Sequence, residues 1–255
     1  MLRHEPSKDL IAALKHLKLG KLLPMLAERF RIAEEQALSH PEALLMILSD
    51  EVQRRDRMRI KNRARNAGLH PMMVFDEWDS TASVTYDQRL LDALRKLEFI
   101  EKHHHVMLLG PVGTGKTMLA QALGRVAIEA GYSVRYESAD KLFLRLRACR
   151  LDDTHRDELR RLRRVDLLII DDFALRQLTD EETMDMYELV TSRHRTGSMI
   201  VTSNRTPDEW LELLSDPLHA QALVDRFQHN AYDLVVDGES YRKRQKPRLP
   251  PCSSD

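Results

Sequence analysis

The sequence predicts an α/β protein: a three-layer core built on a parallel sheet, preceded by a small all-helical N-terminal domain. Three observations carry this. Gly110-Pro111-Val112-Gly113-Thr114-Gly115-Lys116-Thr117 fits the phosphate-loop pattern G-x-x-x-x-G-K-[ST] at every fixed position, with an apolar run before it and a helix-favouring stretch after it. Two further apolar runs, residues 165–172 and 198–204, end in polar groups and alternate with helical segments, as strands buried on both faces of a parallel sheet do. Residues 1–68, by contrast, read as helices alone.

Taken in order, Ser7 caps a first helix whose Leu10, Ala13, Leu14 and Leu17 share a face, ending near Gly20. A second helix spans 22–30, with Pro24 in its first turn. A third starts at Ser39 and Pro41, carries Ala43, Leu44, Ile47, Leu48 and Val52 as its apolar stripe, and runs to Asn66 before Gly68. Its second half is basic, with Arg54, Arg55, Arg57, Arg59, Lys61, Arg63 and Arg65 against Asp56 alone. Such a run is either a solvated helix face or a surface for phosphates.

Residues 69–86 form a linker containing Phe75 and Trp78, aromatics of the kind that anchor a linker to a neighbouring domain. One helix is expected over 87–100 and a turn at His103-His104-His105, where consecutive residues cannot all face one metal ion. Strand 106–109 feeds the loop, and Met118 opens the apolar part of the helix that follows. A strand at 132–136 precedes two basic helices, 139–150 with Lys141, Arg145, Arg147 and Arg150, and 154–164 with Arg156, Arg160, Arg161, Arg163 and Arg164. Helix 181–195, strand 198–204, helices from Pro207 and over 218–227, and strand 231–236 complete the core, with Gly238 after it. The division is therefore a helical domain at 1–68, a linker at 69–86, a nucleotide-binding domain at 87–240 and a basic tail at 241–255.

Bulk composition is that of a soluble globular chain: 255 residues, 31% charged and 42% hydrophobic, with Lys+Arg 40 against Asp+Glu 40. Global charge selects no partner, but the basic clusters do suggest one. Cys149 and Cys252 make neither a zinc spacing nor a disulfide framework, which fits a reducing cytoplasm. No secretory leader and no apolar run of about 20 residues is present, so a cytoplasmic protein without a membrane partner is expected.

Chemistry follows from where polar groups end strands, since ligands of open α/β sheets gather there. The loop glycines let backbone N–H groups converge on phosphates. Lys116 is positioned for the β/γ-phosphates, and Thr117 with Asp171 for Mg²⁺. Asp172 is placed to orient or deprotonate an attacking water, and Asn204 to hold it.

The ordered set of motifs resembles the AAA+ ATPases, specifically the IstB-like transposition helpers and their relatives, the DnaC helicase loaders. The resemblance covers nearly the whole chain. It rests on residues 108–117, on Val165-Asp166-Leu167-Leu168-Ile169-Ile170-Asp171-Asp172-Phe173, on Thr202-Ser203-Asn204, on Leu223-Val224-Asp225-Arg226 and on Gly238-Glu239-Ser240-Tyr241-Arg242. It implies ATP as the nucleotide, Walker A at 110–117, Walker B at Asp171 and Asp172, and sensor 1 at Asn204. It further implies Arg226 as an arginine finger acting on a neighbouring subunit's ATP, and a sensor-2-like place for Arg242. Asp172 stands where AAA+ proteins often carry Glu, and Ala174 where many relatives carry Gly.

The expected activity is an ATP-dependent regulator of transposition that self-associates into an ATP-bridged homo-oligomer on duplex DNA and stimulates a cognate transposase. Contacts to DNA phosphates are expected from Arg54, Arg55, Arg57, Arg59, Lys61, Arg145, Arg147, Arg150, Arg160 and Arg161. A helicase loader, and a DNA-binding module switched by ATP with little hydrolysis, are the alternatives.

Overall fold

The computed structural model describes residues 5–78 and 84–241. Ser80 to Ser83, Arg242, Lys246 and Arg248 lie outside them. The chain divides into two compact units, Met1–Asn62 and Arg63–Asp255.

The first unit contains α1 (Lys8–His16), a 3-10 turn at Gly20–Leu22, α2 (Leu23–Glu35) and most of α3 (His40–Asn66). Ser7 Oγ accepts the Leu10 N–H at 3.2 Å, the N-cap that the sequence implies. Leu22, Leu26 and Ile47 form a small core with Leu14, Leu19, Leu23, Met25 and Phe30 around it. A two-pronged Arg29–Asp50 pair, at 2.6 and 3.1 Å, ties α2 to α3. Glu51 is buried beneath Arg54 and Arg55, whose guanidinium groups hold its carboxyl down at about 2.

The second unit opens with the end of α3, a 3-10 turn at Phe75–Glu77 and β1 (Val84–Thr85). It continues through α4 (Gln88–Arg95), α5 (Glu98–Glu101), β2 (His105–Leu109), α6 (Lys116–Glu129), β3 (Val134–Ser138), α7 (Ala139–Leu151), α8 (His155–Arg164), β4 (Leu167–Phe173) and α9 (Asp180–Arg193). Then come β5 (Ser198–Ser203), α10 (Pro207–Leu213), α11 (Pro217–Gln228), β6 (Ala231–Val235) and β7 (Asp237–Gly238). The five-stranded sheet is parallel throughout, in the order β3-β4-β5-β2-β6. On one face Met107, Leu109, Leu168, Ile170, Met199 and Val201 pack with α7 to α11. On the other, α6 lies across the strands, with Gly124 against Ile169. This is the three-layer arrangement expected from the sequence.

Three local departures have physical causes. The single helix expected over 87–100 is broken at Leu97, which adopts φ +64° between α4 and α5. Leu94, Leu97, Phe99 and Ile100 are all buried. At about 100° per residue an unbroken helix would turn Phe99 away from Leu97. β3 starts at Val134 rather than Tyr132, because nearby backbone groups are engaged outside the ladder. Arg63 donates to the carbonyls of Ile128, Gly131 and Tyr132, capping the C-terminal end of α6, while Ser133 binds Asp166. β7 pairs antiparallel with β1, and strands of two residues carry no periodicity to read.

Two buried ionisable side chains brace the end of the sheet remote from the phosphate loop. Arg193 is 0% exposed and donates to the carbonyls of Leu162, Arg163, Val165, Asp166 and Ser198 at 2.7–3.2 Å. Burial lowers its pKa to about 10, which still leaves it charged at neutral pH. His105, also fully buried, stacks on Phe227 at 4.9 Å and accepts the Met199 N–H at Nδ1. Burial first, then the nearby Arg193, His194 and His104, push its pKa down to about 3.

The unfolded ring takes up a proton below its ordinary 6.5, whereas the folded ring does so only near 3. Its contribution is therefore full above pH 6.5 and lost progressively as the pH falls towards 3. Between pH 7 and pH 5 the loss amounts to about 2 kcal/mol. Urea unfolding at both pH values should show a flatter profile by about that amount for His105→Phe; parallel profiles would refute it.

Candidate nucleotide site

The phosphate loop lies between β2 and α6, at the carboxyl end of the sheet. Its glycines are required by space as well as by φ. At Gly113 (φ +85°) a Cβ would sit 2.2 Å from Ser240 Oγ, and at Gly115 (φ +97°) one would sit 2.7 Å from the Trp78 ring. The Tyr241 N–H donates to the Gly113 carbonyl at 2.9 Å, so the segment after β7 lies on the loop. Lys116 is 5% exposed, its Nζ donating to the carbonyls of Gly110 and Pro111 at 2.7 Å each. Thr114 Oγ1 binds the Pro111 carbonyl at 3.0 Å.

Asp171 is buried and its carboxylate is fully engaged. Oδ1 accepts from Thr117 Oγ1 at 3.0 Å and from Thr202 Oγ1 at 2.5 Å, while Oδ2 accepts from Tyr136 Oη at 2.7 Å. Asp172 is turned differently. A register shift between β4 and β5 and a φ of +57° leave it exposed, with its N–H on Thr202 Oγ1 at 2.8 Å. Ala174 shares the φ of +57°, a conformation glycine would adopt without strain.

A cavity of about 650 Å³ gathers Val112 to Met118, Asp172 and Asn204. Met72, Met73, Glu77, Trp78, Val84, Leu175 and Tyr241 complete its lining. Asp171, buried behind Thr117, and Gly110 and Pro111, whose carbonyls hold Lys116, belong to the same loop region. Arg226 is not among the lining residues. It stacks over Tyr187 at 5.2 Å and donates to Tyr187 Oη and Thr191 Oγ1 at 3.0 and 2.6 Å. Arg242 falls outside the described residues.

The cavity wall from the linker is what the sequence reading did not foresee. Trp78 does anchor the linker, but it does so on the phosphate loop itself, edge-on to Tyr86 at 5.9 Å. Gln121 and Tyr136 were also missed. A lone amide among Leu119, Ala120, Ala122 and Leu123, one turn after Thr117, was the available signal.

The donor set fits a magnesium–nucleotide. Mg²⁺ is bound through one or two carboxylates together with substrate phosphates and water. No group of three or more His, Cys, Asp or Glu forms a metal cluster among the described residues, and Asp171 with Thr117 supplies the lone carboxylate and hydroxyl such a site needs.

The basic candidates fall into two groups. Arg57, Arg59, Lys61, Arg147, Arg160 and Arg161 are exposed, Arg160 and Arg161 with neighbouring carboxylates at 2.7 and 3.2 Å. Arg54 and Arg55 share Glu51, Arg145 pairs with Glu137 and Glu158, and Arg150 forks onto Asp185 beside His155. For Arg145 and Arg150 the hydrogen bonding is thus taken up within the fold. No helix among the described residues is long and apolar enough to cross a membrane.

Sheet order, loop and strand-end carboxylates define a P-loop NTPase of the AAA+ type. The structure of AMPPCP-bound DnaA from Aquifex aeolicus is similar, with a TM-score of 0.53 and 26% identity over 65% of this chain and 51% of that one. The chain thus spans about half of that DnaA. It belongs to the IstB-like ATP binding protein family, whose model matches residues 12–248. It is 34% identical over 236 residues to an insertion-sequence ATP-binding protein of Mycobacterium tuberculosis, covering 92% of this chain and 94% of the other. It is 31% identical over 238 residues to an IS21 ATP-binding protein of Pseudomonas aeruginosa, covering 93% and 90%.

Proposed function

We propose that the chain binds and hydrolyses Mg²⁺-ATP, and that ATP drives its assembly on duplex DNA, where it engages a cognate transposase. The observation that carries the reading is the cavity itself. The phosphate loop, Asp172 and Asn204 line it together, and Thr117 ties the loop to Asp171 behind it. The insertion-sequence relatives support transposition as the setting, and their names describe ATP binding.

Within this reading the loop N–H groups and Lys116 bind phosphates, and Thr117 with Asp171 would hold Mg²⁺, which would supply charge neutralisation to the phosphates. The exposed Asp172 takes the proton of an attacking water that Asn204 holds. The half-buried Trp78 ring offers a stacking face to the base. Exposed cations on α3, α7 and α8 serve DNA phosphates without reading bases.

ATP turnover of the full chain measured with and without duplex DNA tests this. Stimulation by duplex is expected, with DNA affinity falling steeply between about 50 and 200 mM salt. Turnover indifferent to DNA, together with no duplex binding in ATP, would overturn the reading.

A further inference from the structure

Behind Asp171 stand the half-buried Tyr136 and the buried Gln121, polar side chains that the proposed chemistry does not use. Tyr136 stands on β3 next to β4, two residues before Ser138, the backbone partner of Asp171. Every second residue of a strand shares a face, so the Tyr136 phenol reaches the same side as the carboxylate. It donates to Asp171 Oδ2 at 2.7 Å. Gln121 lies beside the same phenol, and its Oε1 accepts the His70 N–H at 2.8 Å.

This pair is held firmly from behind. The Tyr136 N–H donates to the Ala67 carbonyl at 2.7 Å. Gly68, at φ +85°, comes so close to the Tyr136 carbonyl that a Cβ there would sit 2.8 Å from it. Gln121 is 4% exposed, too buried to trade its partners for water.

A carboxylate held at one oxygen can still swing about its χ2 bond. Asp171 is held at both, by two threonine hydroxyls on Oδ1 and by Tyr136 on Oδ2. We infer that Tyr136, its backbone held by the Ala67 carbonyl, is a positioning residue of the cation site, keeping the Asp171 carboxylate in the orientation that meets Thr117 and the Mg²⁺ of a bound nucleotide. The inference rests on Asp171 being the cation carboxylate. Groups that orient a metal ligand from behind typically govern metal affinity more than the binding of the rest of the ligand. The phosphate loop is untouched by the change, so its own hold on the nucleotide stays.

The test is a binding titration. A fluorescent non-hydrolysable ATP analogue is added to full-length wild type and to Tyr136→Phe over a series of Mg²⁺ concentrations, and again in EDTA. The half-saturating Mg²⁺ concentration should rise roughly tenfold in Tyr136→Phe, with affinity in EDTA unchanged. A Tyr136→Phe curve superimposing on a Mg²⁺-responsive wild type would overturn the inference alone. Equal weakening with and without Mg²⁺ would overturn it too, marking a structural role. A wild type that binds the analogue without any response to Mg²⁺ would overturn the cation reading of Asp171 as well.

Discussion

Arg226→Ala is expected to lower ATP turnover by about 10³-fold while leaving nucleotide affinity within about twofold of wild type. The reason is geometric. Charge builds on the γ-phosphate oxygens during transfer, and Lys116 alone leaves part of it uncompensated. Asp172 and Asn204 line the cavity with the loop, but among the described residues no arginine does. Arg226 stands instead on α11, steadied by the Tyr187 ring and the Thr191 hydroxyl. In the proposed assembly it serves the pocket of the next subunit. Its loss then removes transition-state charge without touching ground-state binding, so turnover falls and affinity does not. Equal losses of both would place Arg226 in its own chain's binding site or in folding.

Lys116→Ala should have the complementary phenotype. Here nucleotide binding itself weakens, and turnover falls by at least about 10²–10³-fold, as expected when a preorganised donor to the phosphates is deleted. Assembly on duplex should fail at ATP concentrations that saturate the wild type. Because Lys116 and Arg226 would serve different halves of a shared site, mixing the two inactive variants offers a sharper readout. A Lys116→Ala subunit still presents Arg226 to an intact Arg226→Ala pocket, so mixed assemblies should regain turnover that neither variant has alone. Absence of any recovery would place both residues in one subunit's site.

The sheet and its loop were readable from sequence because they obey local rules. The apolar runs at 165–172 and 198–204 became β4 and β5, and the phosphate loop follows β2, its Lys116 and Thr117 opening α6. Cooperative features were harder to read. The break at Leu97 follows from burying Leu94, Phe99 and Ile100 together, which no single helical period encodes. The outward turn of Asp172 depends on a register shift between strands. Trp78 and Tyr136 join the site through contacts 35 or more residues apart in sequence, such as Tyr136 with Asp171. Charge counting likewise made Arg145 and Arg150 equal to Arg147, whereas partners on other elements, Glu137, Glu158 and Asp185, distinguish them.

The most direct measurement of the central claim is sedimentation of the full chain with a duplex of about 50 base pairs, in the presence and absence of a non-hydrolysable ATP analogue. The account predicts a multi-subunit nucleoprotein species only with nucleotide and Mg²⁺, lost in Lys116→Ala and retained in Asp172→Asn, which would bind but not hydrolyse. The same species forming without nucleotide, or a monomer on DNA whatever the nucleotide, would contradict it.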